Sequence, residues 1–466
     1  MTKQCLTDQR TNPRCVSSPG TIAGMIRRCL GPASLVLMLT CASCKFAELP
    51  EIVDGSADAS DVDAFTLPVD APPPLCDVTP CVVQISAGGA HTCARIDDGT
   101  VRCWGLNSFG QGGGGVANAP MDGGVDEYVL PRTYPTPNVV SGLPSANRAT
   151  VIGAGGAYRS DGVSCAAMND MQMWCWGIDK SQQLGRGGAT RMGDISPAPA
   201  RPVPAPVASI SDVKDISVGV RNACAVFESG SVACWGSDIH GAVGVMPVGN
   251  TYGQPQTISI PEQVQRVVMR GQHALALTTS GQVWAWGDNG DGQGAVDPAT
   301  ATFVLPRQVS ELVGSYVDVA AGRHFSCAVD ATGKVWCWGQ GSRGQLGRSA
   351  TPPARDHQPA LVAFPVAGTQ IVQISGDEQH MLALTENGAV YEWGKLLAEI
   401  EPATVLYTPT QITLPEPATQ VSAGFQHSCA LLESGAVWCW GNNLDAGLGR
   451  GSASPPDVLD PGPVVF

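Results

Sequence analysis

Basic residues are scarce in this chain: 27 Lys and Arg stand against 41 Asp and Glu over 466 residues, a formal net charge of −14. No basic run occurs, and binding to phosphate backbones draws on clustered Lys and Arg, so nucleic acid is excluded as a partner. Long apolar runs are missing too. The stretch Leu30 to Leu39 is too short to cross a bilayer as a helix. There is no Gly-x-Ser-x-Gly elbow, no phosphate loop and no His-Glu-x-x-His, which removes the readiest signs of a serine hydrolase, a nucleotide hydrolase or a zinc protease. His91, His273, His380 and His427 recur in register and read as architectural, a strand-end residue bonding the adjacent turn. The other three, His240, His324 and His357, are isolated, and the carboxylate pairs Asp97-Asp98 and Asp377-Glu378 read as solvated turn residues.

What the chain does have is a repeat. Trp-Gly closes the same short pattern seven times, at Trp104, Trp176, Trp235, Trp286, Trp338, Trp393 and Trp440. A period near fifty residues with strand-like content marks a propeller or solenoid. Trp174, Trp284, Trp336 and Trp438 sit two residues before their partners, so both indoles of each Trp-x-Trp share one face of an extended strand. The unit reads as a short Pro-led strand, a loop, a second strand, then a tight hairpin such as His427–Leu431 with Val437–Gly441. The hairpin turn ends in Gly99, Gly230, Gly281, Gly333, Gly388 or Gly435, as a three-residue loop with a left-handed third position demands. Met171 takes that place in the second unit, which predicts a strained turn or one of another type.

Four strands per unit and seven units predict an all-β, seven-bladed β-propeller over residues 81–466. A Pro-led strand follows every Trp-Gly, including Pro463 to Phe466 at the C-terminus, and none clearly precedes Val82. The C-terminal strand is therefore expected to complete the first blade and close the ring.

The residues Ser86-Ala87-Gly88, His91-Thr92, Trp104-Gly105, Asn107, Gly110 and Gln111, echoed by Gly344-Gln345-Leu346-Gly347 and Gly424-Phe425-Gln426-His427, resemble the regulator of chromosome condensation repeat family. Units three and six depart from it after their Trp-Gly, at Ser237–His240 and Lys395–Ala398. The resemblance implies a seven-bladed propeller and, by family habit, chromatin binding or nucleotide exchange on a small GTPase.

Ten of the seventeen cysteines form five pairs of fixed spacing: Cys93 and Cys103, Cys165 and Cys175, Cys224 and Cys234, Cys327 and Cys337, Cys429 and Cys439. Across a three-residue turn these partners stand opposite each other, within disulfide reach. The two units lacking one cysteine lack both, with Leu275 facing Ala285 and Leu382 facing Glu392. Random scatter over the fourteen positions would leave only intact pairs in about 2% of cases. Five disulfides imply an oxidising compartment. A zinc reading of His91-x-Cys93 with Cys103 competes, but histidine and cysteine vary independently between units, as ligands of one site should not. No cofactor and no metal are expected.

Residues 1–44 read as an export signal. Met25-Ile26-Arg27-Arg28 is a basic n-region and a plausible true start, Leu30 to Leu39 is the apolar core, and Cys41-Ala42-Ser43-Cys44 resembles a bacterial lipobox with Cys44 as the lipid attachment site. An ordinary cleaved signal with a released product is the alternative. Residues 45–80 carry eight acidic residues and one Lys, the composition of a disordered tether, with Cys76 and Cys81 as a candidate pair at its end.

Location then constrains function: an exported disc does not meet chromatin or a cytosolic GTPase. The chain is expected to be a monomeric, non-catalytic scaffold at the cell envelope, on the outer membrane or cell surface and touching the membrane by its lipid alone. Its partner would be a protein or a surface polysaccharide. The insertion within Gly112 to Tyr134, with Met121, Tyr128 and Tyr134, is the candidate partner loop, against the plainer reading of a surface insertion. Two alternatives stand: a hydrolase or lyase of extracellular polymers, which converging channel carboxylates would favour, and an exchange factor in the manner of the family.

Overall fold

The computed structural model describes residues 74, 76–114, 116–117, 128–129, 132–157, 161–187, 200–349, 351–396 and 404–466. Seven four-stranded antiparallel sheets follow one another along the chain. Blade one is Val82–Ala87, His91–Ile96, Val101–Leu106 and Thr133–Val139; blade seven is Ala418–Ala423, His427–Leu432, Val437–Asn442 and Asp457–Pro463. The all-β seven-bladed propeller is thus what the repeat specifies.

Its closure differs from expectation. The C-terminal strand pairs with Val437–Asn442 inside blade seven, Cys439 facing Gly462, and does not complete blade one. The Pro-bearing strand that seems to open each unit is the outermost strand of the blade before it: Val405–Ile412 pairs with Val390–Lys395. Blade one therefore owns a fourth strand, Thr133–Val139, and needs none from the other end. The prolines lie within these outer strands, at Pro135, Pro137, Pro202, Pro204, Pro206, Pro255, Pro306, Pro359, Pro409 and Pro461, so every rim edge is blunted.

There is no common core. Seven apolar clusters each fill one joint between neighbouring blades, and the joint of blades seven and one is built like the others, from Val82, Ile85, Trp104, Leu431 and Leu448 among others. The Trp that precedes Gly in each unit is almost fully buried there. Its indole N–H donates to a loop carbonyl of the preceding blade: Trp176 to Gln111, Trp235 to Gln183, Trp338 to Gln293 and Trp393 to Gln345, at 2.8–2.9 Å. The following Gly takes φ of 92–115°, and a Cβ on Gly105 would stand 2.6 Å from the Ala90 carbonyl.

All five opposed cysteine pairs are disulfide-bonded across their hairpins, with Cα–Cα of 4.1–4.2 Å. Cys76 is bonded to Cys81. This small loop docks on the last blade, where Asp77 and Val78 N–H donate to the Ser434 carbonyl at 2.9 and 3.3 Å, so residues 76–80 belong to the folded unit and not to the tether. Phe466 adds an edge contact to Trp104, with centroids 5.9 Å apart.

Candidate binding face

In an antiparallel meander the connections alternate between the two ends of the blade. The hairpin turns between second and third strands are short and gather on one face. Each connection between a third and a fourth strand leaves and re-enters at the opposite face, as seen in full at 238–250, 289–302 and 443–456, where the turns that follow each innermost strand also lie. All large variation in loop length therefore falls on one face.

At the axis the innermost strands are sewn to each other by side chains at one repeated register. Gln420 Oε1 accepts from Ile85 N–H at 2.8 Å and Gln84 Oε1 from Ile152 N–H at 3.1 Å; Asp215 Oδ2 accepts from Val267 N–H at 3.1 Å and Asp318 Oδ2 from Ile374 N–H at 2.7 Å. The second oxygens of Asp215 and Asp318 accept from Ile216 and Val319 N–H, and Arg266 donates to Asp318 at 2.5 Å. Burial raises both carboxyl pKa values, with Arg266 opposing the shift. Of these carboxylates only Asp215 lines the channel, a cavity of about 100 Å³, and it holds the same structural register as Gln84, Gln373 and Gln420. Serines two residues on repeat the stitch, Ser422 accepting from Ala87 N–H and Ser217 from Met269 N–H.

The sequence reading has the repeated histidines bonding the adjacent turn; instead they bond outward to the next blade. His91 Nε2 meets Ser164 Oγ at 2.9 Å, His273 meets Ser326 at 3.0 Å, His380 meets Ser428 at 3.1 Å and His427 meets Thr92 at 2.8 Å. Burial first of all lowers their pKa, to about 3 for His91 and His380 and about 4 for His273 and His427, so the imidazoles stay neutral.

Other groups on the long-loop face are accessible. Arg221 pairs with Asp161 at 3.5 Å and Arg323 with Glu378 at 2.7 Å, each Arg about half exposed. His324 Nδ1 lies 3.5 Å from Asp291 and 3.8 Å from Asp288. Next to it a groove of about 420 Å³ is lined by Asp291, Asp297, Arg355 and His357. Unit three, whose loop departs from the repeat, exposes Ile239 and Met246 beside Phe303, and holds His240 at φ 62°. Acidic, basic and apolar groups are thus mixed on one surface, suited to a macromolecular partner.

Among the residues singled out from sequence, Cys44 and Met121 lie outside the described residues. Tyr128 belongs to a two-residue strand, Tyr128–Val129, paired with Val116–Ala117. Tyr134 is not on an exposed loop: it is half-buried in the fourth strand, its ring packed over Gly112 and Gly114. Cys76, Cys81 and Asp97 bring three potential metal ligands within 4.8 Å, but both sulfurs are spent in the disulfide. Sequence reasoning missed Arg186, Arg348 and Arg450, which donate to the Cys175, Cys337 and Cys439 carbonyls and also to Val203, Gln358 and Asp460 across the break in each outer strand's ladder. Their signal was present as Leu-Gly-Arg, recurring in three units. Also missed was Arg270, which stands at the axis.

Residues 124–465 match the model of the RCC1-like domain, and residues 82–111 match the regulator of chromosome condensation (RCC1) repeat. The chain is 27% identical over 337 residues to the mitochondrial RCC1 domain-containing protein RUG3 of Arabidopsis thaliana, covering 67% of this chain and 72% of that one. It is 26% identical to the ultraviolet-B receptor UVR8 of the same plant, covering 67% and 65%. With human E3 ubiquitin-protein ligase HERC2 it shares 29% identity over 56% of this chain, but spans only 5% of that protein. Among solved structures, human WBSCR16 superposes with a TM-score of 0.63 at 20% identity over 76% of this chain and 88% of that one. Prp20p of Saccharomyces cerevisiae gives 0.62 at 19% over 83% and 88%. These two likenesses concern the fold alone. With the repeat, the ring and a family match over most of its length in hand, the chain belongs to the RCC1-like domain family.

Proposed function

We propose that this chain is a non-catalytic binding scaffold that engages a protein through its long-loop face, and that it works outside the reducing cytosol, held at the cell envelope by lipid on Cys44. The observation that carries the binding role is the asymmetry of the disc. One face has uniform hairpin turns and short connections from each fourth strand to the next blade; the other carries the longest loops, such as 238–250, 289–302 and 443–456, with the exposed Arg221 and Arg323 and the apolar residues Ile239, Met246 and Phe303. Use of the channel as a catalytic pocket finds no support in Asp215 and Asp318, whose oxygens are taken up by strand-to-strand bonds. Five disulfides and the basic-apolar leader support the placement outside the cytosol.

Exchange-type binding is the second reading, favoured by the fold shared with Prp20p, a protein with binding properties toward Gsp1p and histones. Photocrosslinking in intact cells separates the two. A photoreactive residue at Arg323 is expected to trap one recurring envelope partner, whereas the same residue at Glu228 in a hairpin turn traps little. Equal adducts from both faces would overturn the facial assignment; a cytosolic GTPase as the trapped partner would replace it with the second reading.

A further inference from the structure

One ring position breaks its own repeat in two blades only. The residue directly after the equivalent sixth position of each innermost strand is Gly88, Gly155, Gly219, Arg270, Gly322, Asp377 and Gly424, so five blades have glycine and the remaining two have opposite charges. Those two meet. Arg270 Nε lies 3.4 Å from Asp377 Oδ2 although the residues belong to blades four and six. The guanidinium continues across the axis: Nη1 donates to the Val218 carbonyl at 2.8 Å and to Ala154 at 3.3 Å, and Nη2 donates to Ala87 at 3.0 Å. Each of these carbonyls belongs to the residue just before one of the ring's glycines. The side chain of Arg270 is 16% exposed and that of Asp377 is 9% exposed.

We propose that the long-loop mouth of the axial channel is a binding cage for a guanidinium ion, which this protein fills with its own Arg270. Three carbonyl oxygens converging from consecutive blades, together with one carboxylate, form an acceptor set for a planar cation with forked N–H groups. The glycines are needed for the approach: a Cβ at Gly155 would stand 2.2 Å from the Val218 carbonyl oxygen, and one at Gly88 would meet the Gly155 backbone at 2.9 Å. An ammonium is a point charge that cannot satisfy three carbonyls and a carboxylate lying in different directions, so the cage selects the fork over mere charge. Filled in this way, the cage joins blades one, two, three and six to blade four and stops the channel at the binding face.

The cage exists independently of its tether, and chemical complementation tests it. Arg270→Ala is expected to lower Tm by roughly 5 °C, since Asp377 loses its ion-pair partner and three carbonyls lose their donor. Millimolar methylguanidinium should restore most of that loss along a saturating curve. Equal methylammonium or sodium chloride should not, and wild type should not respond. An unchanged Tm in the variant, or the same response from wild type, overturns the proposal. Should the alanine variant fail to fold, Arg270→Lys decides: it retains the charge without the fork, and a wild-type Tm would show that the cage does not select guanidinium.

Discussion

Glu392 shows how a single residue can replace a missing loop. In most blades a loop carbonyl accepts the next blade's Trp indole, but blade six departs from the repeat after its Trp-Gly, and Glu392 Oε2 accepts from Trp440 at 2.9 Å while Oε1 accepts from Ser428 at 2.7 Å. This explains why a carboxylate stands where five other blades have a disulfide cysteine. Burial raises its pKa from 4.5 to about 7, against the bonds from Trp440 and Ser428 that favour the charged form. The folded protein then holds a proton that the unfolded chain releases above 4.5. The stabilisation is complete below pH 4.5 and is lost as pH rises through 7, a swing of about 3 kcal/mol. The four buried histidines run in the opposite direction: with folded values of about 3 to 4 against 6.5, their contribution is present above 6.5 and falls away on acidification. Glu392→Gln mimics the protonated acid, its amide oxygen accepting from Trp440 and its NH2 donating to Ser428 Oγ, and removes the titration. Its Tm relative to wild type should rise between about pH 5 and about pH 8, as thermal denaturation at the two values would show. In the sequence Glu392 was visible only as a break in a cysteine pattern, because its partners lie 36 and 48 residues away.

The hairpin is the element most fully legible in the sequence. Its period-two pattern, fixed cysteine spacing and turn glycine are all local, and strands two and three pair as read, Cys93 with Cys103 and Leu275 with Ala285. The departure at Met171 is now explained: the turn is of the same type, with Met171 at φ 69° where the six glycines have 74–85°, and its N–H donates to the Met168 carbonyl at 2.8 Å. A side chain in the left-handed region costs about 1 kcal/mol, and Met171 is 57% exposed, so little contact is lost with it. Met171→Gly should therefore stabilise the protein by about 1 kcal/mol, measurable in the denaturation midpoint. The fourth strand was harder to assign. It is separated from its partner by loops of widely different length, its ladder breaks at the proline, and nothing local shows whether it ends one blade or begins the next. The long-loop face shared this difficulty, since Arg221 and Asp161, or Arg323 and Glu378, meet only after blades are placed side by side.

At the scale of the whole molecule, the repeat count determined the ring, while its closure depended on a detail that repeats cannot convey. The seam between blades seven and one has no exchanged strand; it has an ordinary apolar wedge, reciprocal bonds between Gln420 and Ile85, and the Cys76–Cys81 loop lying on Ser434. How the protein is held in the cell is a separate question with a direct measurement. Radiolabelled palmitate should enter wild type and be absent from Cys44→Ala, and equal labelling would remove the lipid anchor. The proline in every outer strand bears on that setting. Under the proposed lipid anchoring, copies would share a membrane plane at local concentrations far above those of free solution. A row of unpaired N–H and C=O groups would let neighbours knit into rafts of continuous sheet; interrupted as it is, each disc can brush past the next and keep its own face free.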